Sequence, residues 1–149
     1  MAEEGPIRFL VVDDDDVDVM NIRRAFEKNR VANSLFVATD GKEALDKLRS
    51  GEILRTGLIV LLDLRMPRMN GLEFLRVLRA DPSLRSIPVV VLTTSADEGD
   101  REQAYRLNVA GYFLKPVSLN DFKQAMTTFS EYWSRVVFPN RSGRYPSAS

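Results

Sequence analysis

The sequence predicts an α/β fold: a five-stranded parallel sheet, doubly wound, with strand order 2-1-3-4-5 and an extended C-terminal helix. Three observations predict it. Short apolar, β-branched runs recur five times, segments of helical period separate them, and the runs are apolar at consecutive positions. Strands apolar on both sides are those covered by helices on both faces, and five β-α units at this size give the doubly wound form.

The strands are expected at residues 9–12, 35–39, 58–62, 89–93 and 112–114. The first helix follows at 17–28. The second, at 41–49, carries Ala44, Leu45 and Leu48 on one face, and the third, at 71–79, carries Leu72, Leu75 and Leu78. A fourth spans 100–107 and the last opens near Ser118, a candidate N-cap before "LNDF". Asp81-Pro82 ends the third helix, because a residue before proline is pushed out of the α region. The chain of 149 residues is read as a single domain, 1–149, with a core of about 7–130 and a C-terminal extension and mobile tail over 131–149.

Composition narrows the chemistry. Lysine plus arginine equals aspartate plus glutamate at 21 each, so no overall positive field draws nucleic acid or an anionic membrane. No apolar run approaches the roughly 18 residues of a membrane span, and "MAEEGP" lacks a signal-peptide pattern; a cytoplasmic protein is expected. The chain contains neither cysteine nor histidine. Thiolate nucleophiles, imidazole bases and ordinary zinc sites are thereby excluded, leaving carboxylates, hydroxyls and lysines, whose hard oxygen donors suit Mg²⁺ or Mn²⁺.

These residues fall together. "FLVVDDDDVDV" runs an apolar strand into four consecutive aspartates, and two unit charges about 4 Å apart repel by roughly 4 kcal/mol at an effective dielectric of about 20. Asp13 and Asp14 follow strand one, Asp63 follows strand three, Thr93 ends strand four and Lys115 follows strand five. All are at carboxyl ends, where ligands bind in open α/β sheets, and the switch point lies between strands one and three. Three acids, a lysine and a hydroxyl make a unit for phosphoryl transfer: the acids ligate Mg²⁺, the lysine and hydroxyl donate to phosphoryl oxygens, and one carboxylate is the nucleophile. Asp15, Asp16 and Asp18 are assigned to the start of helix one, where the helix dipole favours negative charge.

The ordered motifs "VVDDD", "LLDLRMPRMNGLEFL", "IPVVVLTTS" and "GYFLKP" resemble those of bacterial response-regulator receiver domains, over about residues 8–129. The resemblance implies the flavodoxin-like form of the fold and a phosphorylation-dependent switch of a two-component system. Asp63 would accept phosphate from a histidine kinase whose donor histidine comes in trans. Asp14 and Asp63 would bind Mg²⁺ directly with the backbone carbonyl of Arg65, and Asp13 largely through metal-bound water. Lys115 would pair with the phosphoryl group, Thr93 would swing onto it, and Tyr112 would turn inward. Pro116 would follow a cis bond. Receivers assist their own phosphorylation and dephosphorylation without being enzymes in the usual sense. Arg65 and Ser95 occupy positions that vary in the family and tune water access; the Arg65 guanidinium either contacts phosphate or stays in solvent.

From residue 119 apolar residues recur at Phe122, Met126, Phe129, Trp133 and Val136. A helix continued to residue 138 would be about 30 Å long at 1.5 Å per residue, against about 17–20 Å for a typical strand. Its overhang would expose Tyr132, Trp133, Val137 and Phe138 as a homodimer interface; the alternative is that they fold back on their own domain. The "YW" extension is similar to response regulators paired with phytochromes, which implies a phytochrome as the kinase. Two rival functions stay open, an aspartate-nucleophile phosphohydrolase and a docking-only pseudo-receiver. The first wants an aspartate where Arg65 stands, and the second has no need of the full set of polar residues.

Overall fold

The structure, a computed structural model, describes residues 7–28 and 32–136. Its elements alternate as β1 (Ile7–Val12), α1 (Asp16–Lys28), β2 (Ala32–Ala38), α2 (Gly41–Ser50), β3 (Leu58–Leu62), α3 (Gly71–Ala80), β4 (Val89–Thr93), α4 (Glu98–Arg106), β5 (Gly111–Leu114) and α5 (Leu119–Trp133). The five strands form one parallel sheet in the order β2-β1-β3-β4-β5. This is the predicted topology, and β3 and β4 have the predicted bounds.

Alternate residues of each strand supply two separate cores, because successive side chains in a strand point to opposite faces. Leu10, Val12, Val60, Leu62, Val89 and Val91 pack with Leu45 and Leu48 of α2, Phe74, Leu75 and Leu78 of α3 and Ala104 of α4. Phe9, Val11, Ile59, Leu61, Val90 and Leu92 face the other way, against Ile22, Ala25 and Phe26 of α1 and Phe122, Met126, Phe129 and Trp133 of α5. Burial on both faces is why the strands carry no polar alternation. Helix starts are fixed by side-chain caps that satisfy otherwise unpaired N–H groups: Asp40 accepts from Glu43, Asp97 from Asp100 and Ser118 from Asp121, while Asn70 and Glu73 form a reciprocal capping box.

Two expectations are corrected. The helix at the C-terminus ends at Trp133, with Ser134 as its cap, so its 15 residues span about 22 Å and match the sheet rather than overhang it. Trp133 is only 7% exposed, edge-on to Phe9 at 6.2 Å and to Phe129 at 5.9 Å. It completes the aromatic core that Phe9 and Phe26 begin at 4.5 Å, and burying an indole there removes more apolar area from water than exposing it could leave favourable. Tyr132, one residue and about 100° around the helix, is exposed as expected. Val137 and Phe138 lie outside the described residues. The second correction concerns Pro116: no peptide bond among the described residues is cis. No helix among the described residues is long and apolar enough to cross a membrane.

Candidate phosphoacceptor and metal site

The sheet topology assembles the site. The β1–β3 pairing sets Val12 beside Leu62, so the residues that follow, Asp13 and Asp63, emerge side by side at the switch point. Main-chain bonds fix each of them: Asp13 N donates to Ala38 O at 2.9 Å, Asp63 N to Val12 O at 2.9 Å, and Lys115 N to Thr93 O at 2.8 Å. Lys115 crosses from the sheet edge to the middle. Its Nζ donates to Asp13 Oδ2 at 2.8 Å and to Asp63 Oδ2 at 3.2 Å.

Asp63 is buried, and donors surround its carboxylate. Oδ1 accepts from Thr93 Oγ1 at 2.8 Å and from the Arg65 backbone N–H at 3.1 Å, while Oδ2 faces Lys115. One carboxylate oxygen from each of Asp13, Asp14 and Asp63 lies within 4.8 Å of the others, with Asp14 exposed and its two partners buried. An all-oxygen, multiply anionic donor set with an open side fits a hard divalent cation such as Mg²⁺ or Mn²⁺, and fits soft metals poorly.

The electrostatics follow from burial. Burial pushes the Asp13 carboxyl up to about 6 from 3.8, with the Asp63 charge adding to the rise, while bonds and charge from Lys115 and the Asp15 N–H oppose it. Burial alone would depress Lys115, but hydrogen bonds from its ammonium to Asp13 and Asp18 and the charges of Asp13 and Asp63 hold its pKa above the ordinary lysine value. A carboxyl whose folded pKa is raised binds protons more tightly in the native state, so its contribution to stability is complete below the unfolded value and is lost as pH rises through the folded one. Without divalent metal, the wild type is therefore expected to lose about 3 kcal/mol relative to Asp13→Asn as pH rises from well below 3.8 to well above 6. Urea unfolding of both proteins across that window measures it; parallel profiles would refute the assignment.

Every sequence-predicted acid, the hydroxyl and the lysine meet here. Tyr112 is half-buried, and its hydroxyl donates to the Ser95 carbonyl at 2.8 Å, tying β5 to the β4–α4 loop. The Arg65 side chain stays largely in solvent, one of the two places expected for it, but it is not free there: its guanidinium pairs with Asp100 Oδ2 at 2.8 Å and donates to Ser95 Oγ at 3.1 Å. Asp18 is also corrected, because it reaches Lys115 Nζ at 2.8 Å and so joins the lysine's ligands rather than serving the helix dipole alone. Asp15 keeps the helix role, accepting from the N–H groups of Val17 and Asp18.

Asp18 and Asp100 are the residues that sequence reasoning left out of the cluster, and a signal existed for both. Asp18 stands four and seven residues before buried Ile22 and Ala25, and Asp100 four before buried Ala104, so each lies on the inward stripe of its helix.

The family model described as response regulator receiver domain matches residues 9–127. The chain is 42% identical over 135 residues to the probable methanogenesis regulatory protein FilR2 of Methanothrix harundinacea (strain 6Ac), covering 89% of this chain and 87% of the relative. It is 31% identical over 142 residues to response regulator Rcp1 of Synechocystis sp. (strain ATCC 27184 / PCC 6803 / Kazusa), covering 92% of this chain and 97% of Rcp1. The solved Mn(2+)-bound form of Rcp1 superposes with a TM-score of 0.80 at 30% identity, over 95% of this chain and all (100%) of that one. The phosphorylated cyanobacterial phytochrome response regulator RcpA does so with a TM-score of 0.79 at 32% identity, over 89% and 97%. With the family model matched over residues 9–127 and these relatives covered nearly end to end, this chain belongs to the response regulator receiver domain family.

Proposed function

We propose that the chain is a phosphorylation-dependent signalling switch in which Asp63 accepts a phosphoryl group from a histidine kinase. The observation that carries this reading is the setting of the Asp63 carboxylate: buried, oriented by Thr93 and the Arg65 N–H, faced by Lys115, and beside the carboxylates of Asp13 and Asp14. An Asp63 oxygen forms the new P–O bond while the donor's P–N bond breaks, and the electron pair of that bond leaves with the donor imidazole. No base is needed on this chain, since the attacking group is already an anion. Lys115 and the Thr93 hydroxyl, both within hydrogen-bond reach of Asp63, donate to the oxygens of the incoming group. Asp13, Asp14 and Asp63, with the Arg65 backbone carbonyl, would hold Mg²⁺ or Mn²⁺, which supplies charge neutralisation for phosphoryl transfer.

The switch follows from where Thr93 is tied. Its Oγ1 also accepts from the Ser95 N–H at 3.3 Å, and the Ser95 carbonyl holds Tyr112. A phosphoryl group adds up to about two negative charges and new acceptor oxygens, so drawing Thr93 toward it perturbs the β4–α4 loop and releases Tyr112 to turn inward. Partner surfaces on α4 and β5 then change shape.

Incubation with a small phosphodonor and Mg²⁺ is expected to add the mass of one phosphoryl group to the wild type and none to Asp63→Asn. An equal gain in the variant removes Asp63 as acceptor. A protein that takes no phosphate but binds a partner is a docking module, and one that turns over many phosphate esters is a hydrolase.

The relatives named after phytochromes support a light-regulated kinase as the partner. A homodimer along β5 and α5 is supported by the exposure of Phe113, Leu114 and Tyr132 on adjoining elements, with Trp133 now assigned to the core and Val137 and Phe138 beyond the described residues. Light scattering is expected to give twice the chain mass at micromolar concentration; a monomer with and without phosphate removes the dimer. The balanced charge suits a cytoplasmic, protein-directed switch with no nucleic-acid or membrane partner.

A further inference from the structure

The Arg65 side chain bridges the acceptor loop and helix α4. Its backbone N–H holds Asp63 Oδ1 at 3.1 Å, yet its guanidinium turns away from the acceptor to Asp100. Asp100 also accepts from Ser95 Oγ at 2.6 Å, and Ser95 Oγ accepts in turn from Arg65 at 3.1 Å, closing a three-membered ring of bonds. The Asp100 carboxylate is mostly covered, whereas the guanidinium is more than half exposed. Together they form one wall of the open cleft of about 460 Å³ that Asp14, Met66, Pro67 and Asn70 also line.

Two features make this cation transferable. Asp100 stands in the first turn of α4, where the helix dipole favours its charge, and it keeps the Ser95 hydroxyl if Arg65 leaves. Losing Arg65 therefore does not strand a bare carboxylate. Arg65, for its part, is a long flexible cation anchored two residues from the point at which phosphorylation adds negative charge, and guanidinium forks suit phosphoryl oxygens.

We propose that Asp100 is a positioning residue that competes with the phosphoryl group on Asp63 for the Arg65 guanidinium. In the unphosphorylated protein Asp100 keeps Arg65 on α4; the acyl phosphate draws it across the cleft, and α4 loses its bond to the acceptor loop. Coupling of this kind is reciprocal, so whatever loosens Arg65 from Asp100 strengthens anion binding at Asp63. This rests on Asp63 being the phosphoacceptor.

The test is the affinity of the full chain for fluoroberyllate with Mg²⁺, a mimic of the acyl phosphate, measured by calorimetry. Asp100→Asn is expected to bind about three- to fivefold more tightly than the wild type, in keeping with a half-exposed ion pair, and Arg65→Ala more weakly. Asp100→Glu should restore the wild-type affinity. In the Arg65→Ala background, Asp100→Asn should change nothing. Unchanged affinity in Asp100→Asn overturns the proposal. So does an equal gain in the Arg65→Ala background, which would mean that the Asp100 charge acts on the anion directly. The Arg65 Nε resonance gives a second measure: it should shift on adding fluoroberyllate to the wild type, and a stationary resonance rejects the transfer. A wild type that binds no fluoroberyllate, or an Asp63→Asn variant that binds it equally, instead overturns the phosphoacceptor reading, and this proposal with it.

Discussion

Lys115→Ala is expected to destabilise the metal-free protein by about 3 kcal/mol at neutral pH, and saturating Mg²⁺ to return much of it. The ammonium is the shared partner of Asp13, Asp18 and Asp63, at 2.8, 2.8 and 3.2 Å. Removing one partner of a buried ion cluster costs about 3–5 kcal/mol because it leaves uncompensated charge behind. Protonation of Asp13, already pushed up to about 6 by burial, sets the cost at the lower end of that range. A cation that binds the native state alone stabilises it by about 2.7 kcal/mol at 100 times its dissociation constant, enough to offset most of the loss. Urea melts with and without Mg²⁺ measure both quantities. A variant as stable as the wild type in chelator would show that the three carboxylates do not repel one another as the geometry requires. The same variant should accept phosphate slowly even when saturated with Mg²⁺, since it lacks the donor that faces Asp63 Oδ2.

Gly71→Ala is expected to cost at least about 3 kcal/mol and to impair phosphate acceptance as well. A Cβ at residue 71 would be 2.4 Å from the Asp63 carbonyl oxygen and 2.7 Å from Leu64 Cα. Neither obstacle is a side chain that can swing aside, so the clash exceeds the ordinary 1–3 kcal/mol of overpacking, or moves α3 and the acceptor loop apart. The main-chain bond from Gly71 N to Leu64 O, at 3.1 Å, would go with them. Gly111→Ala is the control: its Cβ would meet only Phe113 Cε2 at 3.7 Å, an ordinary contact. Thermal unfolding of the two variants should therefore differ by many degrees, and equal melting temperatures would remove the close-approach argument. The glycine at position 71 thus serves the close approach of α3 to the backbone of Asp63 and Leu64.

Much of the site was legible because the physics that selects its residues is local. Asp63 ends a run, "LIVLLD", in which every preceding residue is buried, and a carboxylate in that place has few uses other than a ligand site. Asp13, Thr93 and Lys115 were legible for the same reason, as polar residues at the carboxyl ends of apolar strands. Trp133 was misplaced because periodicity gives the face of a helix but not its last residue. Whether Trp133 faces the core depends on its contact with Phe9, more than a hundred residues away. Arg65 was open for a related reason: a flexible side chain goes to whichever partner the fold brings near, and Asp100 is near only because β3 and β4 are neighbours.

By itself the sequence determined the five β-α units, the parallel sheet and the set of acids, hydroxyl and lysine, because burial on two faces and charge at strand ends are written in residue order. Its lack of histidine and cysteine left carboxylates, hydroxyls and lysines as the groups available for chemistry. Only the tertiary structure decided which of the clustered aspartates share Lys115, where the Arg65 guanidinium rests, and that Trp133 belongs to the core. These are contacts between residues far apart in the chain, fixed by helix rotation and strand order, and no spacing along the sequence encodes them.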